Sequence, residues 1–148
     1  MKTRIKRIWT AILGSILSLL GFSACFEMRA EYGCPHADFT VIGEATSEGK
    51  PVPGIRVVIA PNGFDTQYVH GDTLYTDANG RVQREMETVG ISESMAVKFE
   101  DVDGPENGSF KTKVLKEDQL ERVQTRKGDG KWYDGAFTVT AKAELEKE

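Results

Sequence analysis

The chain has 148 residues, 39% of them hydrophobic and 28% charged, with 19 Lys and Arg against 23 Asp and Glu and a net charge of −4. That length suits one domain with a single core, and the acidic balance excludes a basic nucleic-acid footprint. Two cysteines exclude a disulfide framework.

Lys2, Arg4, Lys6 and Arg7 precede an apolar stretch at residues 8–20, too short to cross a bilayer of about 30 Å. Phe22-Ser23-Ala24-Cys25 follows, with Phe22 where Leu is usual. This resembles a bacterial lipoprotein signal, which implies removal of residues 1–24 and diacylation of Cys25 as the mature N-terminus. An ordinary secretory leader or an uncleaved anchor would also export the chain. Four of the 19 basic residues and none of the 23 acidic ones lie in this leader, so the exported chain carries −8. Such a domain is repelled by an anionic bilayer as a whole, and its hold on the membrane falls to the acyl chains. With Cys25 acylated, Cys34 has no partner for a disulfide. Beside His36 it resembles a Cys/His nucleophile, but no orienting Asn or Asp is evident, and an inert thiol is the simpler reading.

Residues 25–37 read as a tether and residues 38–148 as the domain. Strands are predicted over residues 38–46 and 55–60, joined by the turn Ser47-Glu-Gly-Lys-Pro-Val-Pro-Gly54. Pro51 and Pro53 withhold two backbone donors, so residues 50–54 are predicted as an extended, unpaired connector. Residues 64–70 are predicted as an irregular strand. Residues 73–76 and 81–87 are expected to pair as a hairpin across Asp77-Ala-Asn-Gly80. There Val82, Arg84 and Met86 share one face, and an inward arginine breaks the alternation. Residues 95–102 alternate well. Residues 110–116 and 119–125 are mixed, with a helical turn over residues 117–123 left open by Leu120 and Val123. The segment 136–145 sets Phe137, Val139, Ala141, Ala143 and Leu145 against Thr138, Thr140, Lys142 and Glu144, the clearest half-buried strand of the chain. Short strands, frequent turns and no long helix predict an all-β, single seven- or eight-stranded sandwich.

The pattern V-x-G-x-x-x-x-x-G-K-P-V-P-G-I-x-V followed by T-D-A-N-G-x-V resembles the carboxypeptidase-regulatory-like, transthyretin-like β-sandwich family. That resemblance implies an Ig-like sandwich serving as a binding or spacer module. A leader, EYG before the first strand, GKPVPGIRV, TDANG, VKFEDVDGPENG and KGDGKWYDG together resemble lipoproteins of Bacteroides-type bacteria encoded beside radical SAM enzymes. The resemblance spans residues 31–145. It implies a cell-envelope address, the outer membrane before the inner, and leaves open whether the chain is a substrate, partner or neighbour of such an enzyme.

Candidate chemistry is sparse. Asp101, Asp103, Glu106 and Asn107 have the oxygen-rich character of a Ca²⁺ loop, yet the glycine comes too early for an EF-hand and Thr112 stands where its glutamate belongs. The alternative is a turn whose side chains cap backbone donors. Trp132 and Tyr133, in a glycine-rich loop, form either an aromatic platform for a sugar or protein, or a plug over the sandwich end. His36 and His70 have no ligand spacing, and Ser92 and Ser94 lack a nucleophile motif. The expected function is therefore that of a non-catalytic envelope module, held by Cys25, binding an envelope protein or glycan and no nucleic acid. A modification substrate or escort of a radical SAM maturase is the first alternative, and a small hydrolase built on the histidines the second.

Overall fold

The computed structural model describes residues 33–64, 71–89, 93–106 and 108–148. The leader, Cys25, the predicted strand beyond Phe64, His70, Ser92 and Asn107 lie outside them. The compact unit Cys34–Glu148 is an all-β sandwich. Nine strands are described, one or two more than the sequence suggested. They are β1 (His36–Ser47), β2 (Lys50–Pro51), β3 (Arg56–Ala60), β4 (Asp72–Tyr75), β5 (Arg81–Val89), β6 (Ala96–Glu100), β7 (Lys113–Leu115), β8 (Glu121–Lys127) and β9 (Tyr133–Glu144). A 3-10 turn at Glu117–Gln119 takes the place of the helical turn left open above.

One sheet is built on β1, which pairs in parallel with β9 from His36 to Thr46, and β8 lies outside β9. The other edge of β1 is shared: β5 covers it from His36 to Glu44, and β2 covers Thr46 and Ser47. The second sheet runs β4-β3-β6-β7, all antiparallel. The alternation read from the sequence sets what faces inward. Ala37, Phe39, Val41 and Ala45 of β1 and Phe137, Val139, Ala141 and Ala143 of β9 meet Val57, Ile59, Val97 and Phe99 from the facing sheet. Burying the Phe, Val and Ile side chains of this set, each contributing about 1.5–3 kcal/mol, is the main driving force for the fold.

Two local expectations are corrected. Residues 50–54 are not an unpaired connector: β2 pairs with β1, and Val52 N–H donates to Ala45 O at 3.0 Å. The prolines alternate with the donors that are needed, since Val52 and Gly54 donate while Pro51 and Pro53 fall between them. The hairpin is also corrected, because β4 joins β3 and β5 joins β1, in different sheets. The turn does close locally, with Asp77 Oδ1 accepting from Asn79 N–H and Arg81 N–H. Contacts on either side of it send the arms apart. Ala45 N–H donates to Gly80 O at 2.8 Å, and Thr76 is held to residues 52–55.

Thr76 is buried; its hydroxyl donates to Val52 O at 2.8 Å and accepts from Ile55 N–H at 3.0 Å. Thr76→Val keeps the shape and strands both backbone groups, so it is expected to cost about 2 kcal/mol in urea unfolding. Thr76→Ser should recover most of that. Equal losses in the two variants would show that the hydroxyl bridge is not what matters.

The sandwich is closed on both flanks by arginines that point toward the core side. Arg84 stands on the face of Val82 and Met86, but its Nε reaches Asp72 Oδ2 of β4 at 2.7 Å across the open edge. On the opposite flank Arg122 reaches Glu117 at 2.7 Å, with its guanidinium 5.4 Å from the Phe39 ring centroid. The break in alternation at Arg84 is thus an inter-sheet ion pair at an edge.

Candidate functional site

The outer face of the β1 sheet presents side chains in rows across four strands. Antiparallel register sets Glu85 beside Thr40 and Glu87 beside Asp38. Parallel register sets Ala136 beside Asp38, and β8 brings Arg126 beside Ala136. Small residues at Thr40 and Ala136 leave the middle of this face low. Longer side chains from β5 and β8 rise on either side. The result is a groove of about 550 Å³ lined by Asp38, Thr40, Glu85, Glu87, Thr125 and Arg126. A register irregularity between Gln124 and Arg126 returns Arg126 to this face after Thr125.

Tyr133 stands beside Asp38. Its hydroxyl donates to Asp38 Oδ2 at 2.9 Å, and its ring lies 5.3 Å from that of His36, tilted by 45°. Burial, and then the Asp38 carboxylate accepting its proton, hold the phenol above its ordinary value of 10.0, while Arg126 pulls the other way. Tyr133 is therefore neutral and serves as a fixed donor that orients Asp38. With Glu85 and Glu87 across from Arg126, the groove offers carboxylate acceptors on one wall and a guanidinium on the other. Hydrogen-bonding a polar ligand is chemistry this set can perform.

The loop before Tyr133 is preorganised. Asp129 Oδ1 accepts from Lys131 N–H and Tyr133 N–H, and those backbone donors hold its carboxyl below the ordinary 3.8. Trp132 O accepts from His36 N–H at 2.8 Å, tying the loop to the first residue of β1. Tyr133 joins the outer face through His36 and Asp38, and Trp132 keeps 37% of its surface in solvent.

In the acidic loop, Asp101 Oδ2 accepts from Phe110 N–H at 3.0 Å and closes the segment. Asp103 is half-buried and Glu106 exposed. No three acidic, His or Cys side chains are grouped to hold an ion among the described residues. Cys34 is exposed and free, and His36 packs on Tyr133.

A larger hollow of about 960 Å³ lies on the outer face of the second sheet, lined by Phe64, Ala96, Lys98 and Val114 and by Lys116 and Asp118. Its central charge is already met, since Lys98 Nζ sits 3.0 Å from Glu100, which also pairs with Arg56. Glu85 and Glu87 read from the sequence as an acidic pair on one strand face, part of a solvated surface, and Asp38 and Arg126 were not found from it. Only the register of four strands distant in the chain brings them together.

No family model and no curated protein matches this chain. Similar solved structures include the dioxygenase domain of a dioxygenase carbohydrate-binding protein fusion from Streptomyces sp. SirexAA-E. It is 15% identical over 80% of this chain and 85% of that one, with a TM-score of 0.43. Catechol 1,2-dioxygenase from Pseudomonas arvilla C-1 is 10% identical over 81% of this chain and 54% of that one, also with a TM-score of 0.43. Likeness at this level carries no argument about activity.

Proposed function

We propose that this protein is a non-catalytic binding module of the bacterial cell envelope, held by acyl chains on Cys25, that takes a protein or glycan partner on the outer face of the β1 sheet. The observation that supports this reading is the open groove between Glu85 and Glu87 on one side and Arg126 on the other, with Asp38 oriented by Tyr133. Its polar groups are held by strands rather than loops, which keeps the ordering cost of binding low. The leader and the resemblance to Bacteroides-type lipoproteins support the address.

A photo-crosslinking side chain placed at Thr40, in cells, should give a discrete adduct that Glu87→Arg combined with Arg126→Glu removes. The same probe at Val114, on the other sheet, should give none. Adducts from both positions alike, or from neither, would overturn the groove as the recognition face. The intact mass of the purified protein reports on the address, because acyl chains on Cys25 add to the mass of residues 25–148. Extra mass mapped to any other residue would favour the alternative of a maturase substrate.

A further inference from the structure

The sheet of β1 has two long edge strands, β8 and β5, and they differ in how open they are. On β8 the register irregularity between Gln124 and Arg126 breaks the edge, a common guard against a further strand. β5 has no such break. Its register with β1 runs on from Arg81 to Val89, with no proline or glycine inside it. The turn before β5 fixes the direction of its backbone groups. Gly80 O accepts from Ala45 N–H at 2.8 Å, so Gly80 faces β1. Arg81 O accepts from Asp77 N–H, and Arg81 N–H donates to Asp77 Oδ1, on the far side. Backbone groups alternate sides along an antiparallel strand. Those of Val82, Arg84, Met86 and Thr88 therefore serve β1, and those of Gln83, Glu85, Glu87 and Val89 point outward. No strand pairs with that outward row among the described residues.

We propose that this edge of β5 adds an extended segment of a partner protein, antiparallel to it, with a basic residue at every second position and apolar residues between. The inference rests on the groove as the recognition face and narrows its occupant from a protein or glycan to a protein strand. Gln83, Glu85 and Glu87 are exposed, and the two glutamates form one wall of the groove. Neither carboxylate has an ion pair or hydrogen bond among the described residues. A residue directly opposite Glu85 or Glu87 projects on the same face, so basic side chains there meet the two carboxylates. The residues between them project on the face of Val82 and Met86. Met86 is partly buried against the core, and apolar side chains beside it extend that packing. Arg84, the charge on that inner face, is already held by Asp72 of β4. A second copy of β5 fits worse. Each antiparallel register of two β5 strands that engages most of the outward positions sets glutamate against glutamate. Backbone bonds to a fixed edge supply affinity, and alternate side chains select the partner.

The full-length protein, purified from its envelope in detergent, is titrated with a fluorescent synthetic peptide of alternating lysine and valine, and the anisotropy is read. Binding is expected, and it should be lost when glutamate replaces lysine in the peptide. In the antiparallel pairing the lysine amides face β5 and the valine amides face away. N-methylation of the lysine amides is therefore expected to abolish binding, and N-methylation of the valine amides to leave it. On the protein, Glu85→Pro removes an outward N–H and keeps the bonds to β1, so the fold is expected to stand while binding weakens roughly tenfold or more. Glu85→Gln, which keeps that N–H, should lose less. No binding, or equal binding of the two methylated peptides, would overturn strand addition whether or not Glu85→Pro folds. A Thr40 crosslink that persists in cells carrying a folded Glu85→Pro protein would also overturn it and leave the groove standing as the recognition face. Peptide binding with the expected amide dependence, but no Thr40 adduct in cells, would do the reverse.

Discussion

Gly80→Ala is expected to lower the unfolding free energy by about 4 kcal/mol, a loss at the upper end for a single methyl group. Gly80 has φ +69°, a left-handed conformation that costs an L residue about 1–2 kcal/mol. Space is the larger obstacle. A Cβ there would stand 2.4 Å from Ala45 O, 2.9 Å from Val52 N and 3.1 Å from Pro51 Cβ. Two of those atoms are backbone, and they are bonded to each other across the point where β1 passes from β5 to β2. Relief of the clash must break that junction. Gly130→Ala separates the two causes, since its φ is +73° with nothing within 4 Å of the added carbon. It is expected to cost about 1 kcal/mol. Urea denaturation of both variants, with unchanged slopes, gives the difference directly. Equal midpoints for the two would mean that the close approach at Gly80 relaxes at little cost.

The same junction shows where sequence reasoning ran out. Asp-Ala-Asn-Gly is a turn in the chain and a turn in the structure, so local chemistry was legible. Its use was not: the identical turn serves a hairpin or a crossing between sheets, and the choice rests on Thr76 and Gly80 binding residues 45–55. Alternation in residues 136–145 and 95–100 exposed the core face because a half-buried strand must repeat every two residues. The parallel pairing of β1 with β9, nearly a hundred residues apart, leaves no local trace. That pairing, together with β5 and β8, is what assembles the groove. Tyr133 was visible as an aromatic in a glycine-rich loop, and its partners Asp38 and Arg126 were not. The inward Arg84 was noticed as a fault in the pattern. An edge position beside Asp72 turns that fault into a contact between the sheets.

Phe39→Ala is expected to cost about 3–5 kcal/mol, a fifth or more of the stability of a domain that has about 5–15 kcal/mol to lose. Phe39 is buried at the middle of β1, the strand both flanks of its sheet depend on. Its ring stacks on Phe137 of β9, with centroids 5.4 Å apart and planes 21° from parallel, an arrangement that adds about 0.5–1.5 kcal/mol to simple burial. It also lies under the Arg122 guanidinium, so its removal exposes the half-buried Arg122–Glu117 pair to rearrangement. Phe39→Leu fills most of the space and should lose about 1–2 kcal/mol, keeping the strand but losing the stack. The backbone of Phe39 lies between Asp38 and Thr40 in the groove floor, which makes the pair of variants informative about the site. In Phe39→Leu, held well below its melting temperature, the Thr40 crosslink should persist undiminished, because the outer face is carried by backbone register that the side chain does not set. Loss of the crosslink from a folded Phe39→Leu protein would mean that core packing tunes the groove. A Phe39→Ala loss below about 1 kcal/mol would place the centre of the core elsewhere, with Phe99 on β6 the first side chain to test.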